Sequence, residues 1–313
     1  MSSAKNLKLP DGKRFAFTIF DDTDSATLEA VRGVYALLAE LGFRTTKSCW
    51  VVDGDRSQGK FPGDTCDRPE YREWLLELQA RGFEIGWHGP TWHGLPREQT
   101  IAALEKFCGL FGHYPHTAAN HTGSPGGVYW AESRLSGFLS RLYKLLTFGR
   151  NQGKYRGHVP GDDNFWGDVC KERITYYRNF VFQDINTLKA CPCMPYHDTD
   201  RPLVNYWFSS TNGRDIQTFN RCLSEANQDR LEEEGGVCIM YAHFAFGFSE
   251  NGRVDLRFAA LMRRLARKNG WFVPVHQVLD HLREVGGGHE ITKTERSQLE
   301  RKWFLEKIRI GTV

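Results

Sequence analysis

The sequence has no long apolar run, no strong excess of either charge and no regular cysteine pattern. None of its hydrophobic stretches is long enough to cross a membrane as a helix, and the N-terminal stretch MSSAKNLKLPDGKR lacks an apolar signal core. Lysine and arginine exceed aspartate and glutamate by only 41 − 38 = 3, which is too little to attract nucleic acid through bulk charge. We therefore expect a cytoplasmic protein without a membrane span and without a nucleic acid partner.

The eight cysteines are scattered over 313 residues and do not form a disulfide framework, so reduced thiols are expected. Cys191 and Cys193, with His197 nearby, are the one group that resembles a metal clip. Structural zinc sites usually use Cys-x-x-Cys pairs, and no second pair follows here. The pattern favours a proline-rich loop with incidental thiols.

The first part of the chain alternates short apolar runs with amphipathic segments. The predicted strands are RFAFTIF (Arg14–Phe20), TTKSCWVV (Thr45–Val52), FEIGWH and HTAANH (His116–His121). The predicted helices between them are ATLEAVRGVYALLAELGF, PEYREWLLELQARGF and REQTIAALEKFCGLFG. This β-α-β-α-β-α-β order implies a parallel sheet, as a barrel or an open doubly wound sheet. A dinucleotide site is disfavoured, because no glycine fingerprint follows the first strand.

The second part is less regular. Helices are predicted over Glu132–Phe148, Ile216–Glu234, Asp255–Asn269 and His276–Val285, and strands over NFVFQDIN, VNYWFSSTNG, VCIMYAHFAF (Val237–Phe246) and WFVPV. Residues 286–313 form a charged tail that is amphipathic at best, a candidate for an extra helix or for a homo-oligomer contact.

Acidic and imidazole side chains follow several of the predicted strands. The first strand ends in Asp21-Asp22, the third in His88 with His93 beyond it, the fourth in Asn120-His121, and the late apolar strand carries His243. Carboxyl ends of parallel strands gather on one face, so these groups are expected to converge there. Two carboxylates and several imidazoles fit a mononuclear metal site.

Each of these groups also has an ordinary structural interpretation. Asp24 or Ser25 could cap the first helix, strand-end histidines often bond to the backbone, and His243 could be a satisfied core histidine.

Three motifs together are more specific. FTIFDDTDSAT, EIGWHGPTWH and GGVCIMYAHF match the first, second and last motifs of a known family, in that order. On these residues the chain resembles the polysaccharide deacetylase superfamily, the NodB-homology or carbohydrate esterase family 4 group. The resemblance implies a single-domain α/β fold, a distorted (β/α) barrel of about seven parallel strands over residues 1–285.

The resemblance also implies site residues. Asp21 would be the catalytic base and His243 the general acid, while Asp22, His88 and His93 would bind a divalent metal, with zinc as the first candidate.

Substrate-binding residues are expected nearby. Asn120, His121, Trp92 and Trp50 are the candidates, and the expected partner is a carbohydrate or another small molecule.

Three departures from the family pattern stand out. The motif aspartate that tunes the general acid is left unassigned, with Asp184 and Asp215 as candidates at strand ends. The two histidines are five residues apart rather than four, which leaves Gly89-Pro90 to absorb the extra loop residue. The third motif lacks its usual arginine, so Asn120, His121 or an arginine from elsewhere, such as Arg178, would have to brace the catalytic aspartate.

The favoured function is a metal-dependent hydrolase that removes an acetyl group from an N-acetylated sugar. One alternative is a hydrolase of another C–N bond in a small non-sugar substrate. Another is a catalytically inactive barrel that binds a glycan or a protein partner.

Overall fold

The computed structural model of the protein describes residues 7–55, 57 and 63–310. The predicted polar N-terminus before residue 7, residues 56 and 58–62 of the loop after the second strand, and the last three residues of the tail lie outside the described residues. The strands are β1 Phe15–Asp21, β2 Thr46–Cys49, β3 Glu84–Trp87, β4 Thr117–Ala118, β5 Tyr176–Phe182, β6 Tyr196–His197, β7 Tyr206–Asn212, β8 Val237–Ala242, β9 Ser249–Glu250, β10 Arg253–Val254, β11 Gly270–Trp271 and β12 His289–Glu290. The helices are α1 Leu28–Glu40, α2 Pro69–Ala80, α3 Arg97–Phe111, α4 Gly137–Leu146, α5 Gly167–Arg173, α6 Thr187–Ala190, α7 Ile216–Cys222, α8 Glu225–Glu234, α9 Leu256–Ala266, α10 Val275–Gly286 and α11 Lys293–Ile310, with 3₁₀ turns at Pro10–Gly12 and Ala131–Arg134.

Seven parallel strands close into a ring in the order β1, β2, β3, β4, β5, β7, β8, because β8 pairs with both β7 and β1. The ring is distorted at β1, because two short strands, β11 and β2, pair with different parts of the same side of β1. Phe15 pairs with Gly270 of β11, and further along the strand Phe20 pairs with Thr46 of β2. The predicted distorted (β/α) barrel is confirmed.

The sequence of β1 explains its central place. All seven residues of FAFTIFD are buried, as expected for a strand covered on both faces of a parallel sheet. The helix cap after it is not the predicted one. Thr27, rather than Asp24 or Ser25, caps α1 by accepting a hydrogen bond from the Ala30 N–H at 3.2 Å. The prediction of the cap was wrong, and Asp24 is left outside the helix.

Two predicted helices are each divided in the structure. The segment Glu132–Phe148 becomes a 3₁₀ turn and α4, because the N–H and hydroxyl of Ser136 donate to Glu300 of α11, each at 2.9 Å. The segment Ile216–Glu234 becomes α7 and α8, separated by Leu223 and Ser224.

The described part of the C-terminal segment, residues 286–310, packs on the barrel. Trp303 and Phe304 of α11 are buried in the same core as the barrel strands, and β12 pairs with β6. In the described chain, no helix has both the length and the apolar character needed to cross a membrane.

Candidate active site

A cavity of about 230 Å³ lies at the carboxyl ends of the barrel strands. Asp22 and Asp24 reach it from the turn after β1, and His88 and His121 follow β3 and β4. His243 reaches it from the end of β8. Strand-end acids and imidazoles therefore converge as expected, but the residues that meet are not all the predicted ones.

Asp24 is the centre of this cluster. Its Oδ1 lies 3.2 Å from Nε2 of His88 and 3.5 Å from Nε2 of His121, and its Oδ2 lies 3.3 Å from Nε2 of His243. The three histidines come from three different strand ends, so the fold, rather than local sequence, brings them to one carboxylate. Asp24 is partly open to the cavity, with 27% of its side chain exposed.

The electrostatics follow from this geometry. Burial alone would raise the pKa of Asp24, but hydrogen bonds from His243 and His88 hold it well below its usual value. For His243, burial lowers the pKa, and the Asp24 and Asp22 carboxylates outweigh it, so the net shift is upward. For His121, burial dominates and the pKa is lowered. The cluster therefore favours an ionised Asp24 beside a protonated His243.

Asp22 is held by a buried arginine. The Arg178 guanidinium donates to both carboxylate oxygens, at 2.8 and 2.5 Å, in a bidentate pair. Arg178 lies on β5 where the β5–β7 register shifts, and its guanidinium packs over the rings of Phe20 and Tyr241 at 5.1 and 4.4 Å. His88 Nε2 lies farther from Asp22, at 3.8 Å. Arg178 was a candidate to brace the predicted catalytic aspartate, Asp21. In the structure it braces Asp22 instead.

Asp21, the predicted base, does not line the cavity. Its carboxylate is fully buried and accepts hydrogen bonds from the Phe244 N–H at 2.8 Å and the Tyr35 hydroxyl at 3.1 Å. The ammonium group of Lys47, also fully buried, lies 3.1 Å away. The side chain faces the packed interior because successive strand residues point to opposite faces, and Asp22 takes the cavity side.

His93, the second predicted histidine ligand, is also directed away from the cavity. Its Nε2 accepts a hydrogen bond from the backbone N–H of Asp55 at 2.9 Å. With the extra residue between the two histidines, His93 contacts the loop at Asp55. His121 lies beside His88 instead, with ring centroids 5.4 Å apart.

The predicted substrate-binding residues separate into two groups. His121 and Asn120 line the cavity, and the Asn120 amide also exchanges two hydrogen bonds with the backbone of Val128. Trp50 and Trp92 are buried behind the histidines, with the Trp50 ring 5.3 Å from that of His121.

The predicted metal ligands Asp22, His88 and His93 are not assembled around one point. Across residues 7–55, 57 and 63–310, no group of three or more His, Cys, Asp or Glu side chains stands in an arrangement that could hold a metal ion. The donors that do converge are Asp24, His88 and His121, and each histidine contacts the Asp24 carboxylate directly.

Sequence reasoning missed several residues of the cavity. Asp24 was available in the DDTD stretch but was assigned only as a helix cap. Arg134, Trp303 and Lys307 had no sequence signal, since they reach the cavity from a 3₁₀ turn and from the C-terminal helix.

No protein-family model and no curated protein sequence matches the chain. Solved structures do match. A protein assigned as a polysaccharide deacetylase, from Mycobacterium smegmatis, superposes with a TM-score of 0.50 at 14% identity, over 94% of this chain and 99% of that one. The chain has the polysaccharide deacetylase fold.

Two further structures lie just below that level. The allantoinase PuuE matches with a TM-score of 0.49 at 14% identity, over 88% of this chain and 92% of its own. A protein assigned as a polysaccharide deacetylase, from Pseudomonas aeruginosa PAO1, matches with the same score and identity, over 88% and 93%. At 14% identity the match to the Mycobacterium smegmatis structure shows the fold alone, and it confirms the resemblance at the level of the fold.

Proposed function

We propose that the protein is a hydrolase of the deacetylase type, which cleaves the amide C–N bond of an N-acetylated sugar. The observation that supports this most directly is the contact of three imidazoles, from His88, His121 and His243, with the single carboxylate of Asp24 in the strand-end cavity. An ionised carboxylate and a protonated imidazole in one cavity are the pair that water addition and amine departure require.

Asp24 acts as the base in this proposal. Its lowered pKa keeps it ionised, and it accepts a proton as water oxygen bonds to the amide carbonyl carbon. His243 then donates its Nε2 proton to the departing nitrogen as the C–N bond breaks. The products are acetate and a free amine. Asp22, fixed by Arg178, adds negative charge that keeps His243 protonated.

We also propose that a divalent metal binds here, held by Oδ1 of Asp24 and by His88 and His121, which leaves Oδ2 of Asp24 as the proton acceptor. One carboxylate oxygen and two imidazole nitrogens are a donor set that suits zinc, and the metal would replace their present mutual contacts instead of entering a formed cage. When bound, such an ion supplies Lewis acidity toward the carbonyl group and the water.

The cavity volume favours a small substrate. At about 230 Å³ it lies below the range of roughly 300–1,000 Å³ that is common for ligand sites, so a monosaccharide-sized group fits better than a stretch of polymer.

The first prediction concerns Asp24. Acetate release from a panel of N-acetylated sugars is expected with the wild-type protein. We expect Asp24→Asn to lower kcat at least about 100-fold, since the variant removes the proton acceptor. Asp163→Asn, at an exposed acid, is the matched control and is expected to keep full activity.

Two results would contradict the proposal. If no acetylated sugar in the panel releases acetate, the deacetylase function fails, and an inactive binding barrel or a non-sugar C–N hydrolase takes its place. If Asp24→Asn remains active while Asp21→Asn does not, the base is Asp21.

A further inference from the structure

Besides Arg178, which is paired with Asp22, two further buried cations line the same cavity. The side chains of Arg134 and Lys307 are only 6% and 8% exposed, and they come from the 3₁₀ turn before α4 and from α11. In the described part of the chain neither is ion-paired with a carboxylate within 4.0 Å. An unpaired buried cation is costly, so its position in a cavity calls for a partner that enters from outside.

Aromatic rings hold these cations in place. The guanidinium carbon of Arg134 lies 3.5 Å from the ring centroid of Trp130 and 4.9 Å from that of Trp303, and Nζ of Lys307 lies 5.7 Å from the Trp303 centroid. Arg134 Nε is buried and has no hydrogen-bond partner among the described residues. Ring faces attract a cation but leave its N–H donors unsatisfied.

The acids of the cavity do not neutralise this pair. Asp22 is already bound by Arg178, and Asp24 is shared by the histidines. Burial lowers the pKa of Arg134 to about 10 and that of Lys307 to about 8. Both remain protonated at neutral pH, so the wall of the cavity that they form is positively charged.

We infer that Arg134 and Lys307 bind an anionic group of the substrate, a carboxylate or a phosphate carried on the same small molecule as the scissile amide. The inference rests on the proposed function, because the two cations and Asp24 line one cavity. A carboxylate or phosphate supplies the oxygen acceptors that the guanidinium and ammonium donors lack. The preferred substrate is therefore an acidic N-acetylated sugar, not a neutral one.

The second prediction is a substrate preference. N-acetylglucosamine, its 6-phosphate and its uronic acid form a set in which C6 carries a neutral hydroxyl, a phosphate or is itself the carboxylate carbon. We expect KM for at least one charged sugar to be about 10- to 100-fold lower than for the neutral sugar, as for one or two charge-assisted hydrogen bonds. Arg134→Gln and Lys307→Met are each expected to reduce this preference toward 1.

Matched controls test charge alone. Arg141→Gln and Lys293→Gln remove exposed cations from α4 and α11 and are expected to leave the preference unchanged. Equal KM values for charged and neutral sugars, or a preference that survives both cavity variants, would overturn the inference. Which of the two acidic sugars is preferred distinguishes phosphate from carboxylate.

A binding measurement separates this inference from the proposed function. Isothermal titration of the wild-type protein with inorganic phosphate, at constant ionic strength, is expected to show binding that weakens at least tenfold in the Arg134→Gln/Lys307→Met double variant. Circular dichroism checks that the variants fold. If no sugar is hydrolysed but phosphate binding still depends on both residues, the function fails and the anion site stands. Equal phosphate binding by both proteins, or none by the wild type, overturns the anion site.

Discussion

A single side chain, Asp24, has a different role from the one that its local sequence indicates. An aspartate just ahead of a helix is a common cap, yet Thr27 caps α1, and Asp24 contacts His88, His121 and His243 instead. Asp21 shows the reverse. The sequence predicts it as the base, and the structure encloses it with Lys47 and Tyr35. Short motifs locate the cluster, but the direction of each side chain depends on where the strand ends.

The third prediction concerns the metal ligands. We expect the wild-type protein, equilibrated with zinc and dialysed, to retain about one equivalent by mass spectrometry. His121→Gln is expected to lose it and His93→Gln to keep it, because His121 Nε2 faces Asp24 at 3.5 Å while His93 Nε2 is bonded to the Asp55 backbone.

His93→Gln is also the matched control, since it removes an imidazole from the same loop region. Loss of zinc in His93→Gln with retention in His121→Gln would restore the ligand set predicted from the sequence. No zinc in the wild-type protein would remove the metal from the proposal.

At the scale of elements, the C-terminal helix illustrates a limit of sequence reasoning. The charged segment after Gly286 has weak amphipathic character, so the sequence indicates only a tail. In the structure α11 places Trp303 in the core and Lys307 in the cavity, and Glu300 receives two hydrogen bonds from Ser136. These contacts join residues more than 160 positions apart, and no local pattern encodes such a pairing.

The fourth prediction follows from the burial of Lys307. Burial and the charges of Arg134 and Arg214 together lower its pKa to about 8, against the opposing charge of Glu306. The folded pKa is below the unfolded value of about 10.4, so the charged lysine destabilises the fold. This loss of folding free energy is fully present below pH 8 and disappears as the pH rises to about 10.4. We expect Lys307→Met to stabilise the protein by up to about 3 kcal/mol at pH 7.

Thermal unfolding at pH 7 and pH 10 tests this. The gain in Tm is expected to be several degrees at pH 7 and smaller at pH 10. Lys293→Met, at an exposed position of α11, is expected to change little at either pH. A gain that is the same at both pH values would show that the methionine acts by packing alone. A loss of stability would show that Lys307 has a partner in solution.

On the scale of the whole molecule, the barrel was accessible from the sequence because its signal is repeated. Four apolar runs separated by amphipathic segments predict parallel strands. β1 appears one residue later than predicted, and β2 to β4 appear at the predicted places with shorter bounds. The later strands are less regular, and the closure of the ring through β8 depends on pairings between distant segments. Periodicity therefore predicts the layers of the fold, whereas the contents of the cavity depend on turns, on a register shift in β5 and on the C-terminal helix.

The fifth prediction concerns how strands and an outer helix are held together. Glu84 of β3, 4% exposed, accepts hydrogen bonds from Thr46 of β2 at 2.5 Å and Thr117 of β4 at 2.7 Å, and it lies 3.1 Å from the His276 ring of α10. One carboxylate thus joins three neighbouring strands and a helix. We expect Glu84→Gln to lower the free energy of unfolding by about 3 kcal/mol at pH 6, as for a buried pair that loses one member. Glu77→Gln, exposed on α2, is the control.

The pKa shifts of Glu84 and His276 predict at which pH the variant loses more stability. For Glu84, burial would raise the pKa, but His276 and the two threonines lower it overall, so its stabilisation is complete above pH 4.5 and is lost as the pH falls through the lowered value. For His276, burial lowers the pKa and Glu84 raises it above 6.5 overall, so its stabilisation is complete below pH 6.5 and is lost as the pH rises through the raised value. Urea unfolding is therefore expected to show a larger difference between wild type and Glu84→Gln at pH 6 than at pH 9. An equal difference at both values would mean that the threonine hydrogen bonds, and not the charge of His276, hold this part of the barrel together.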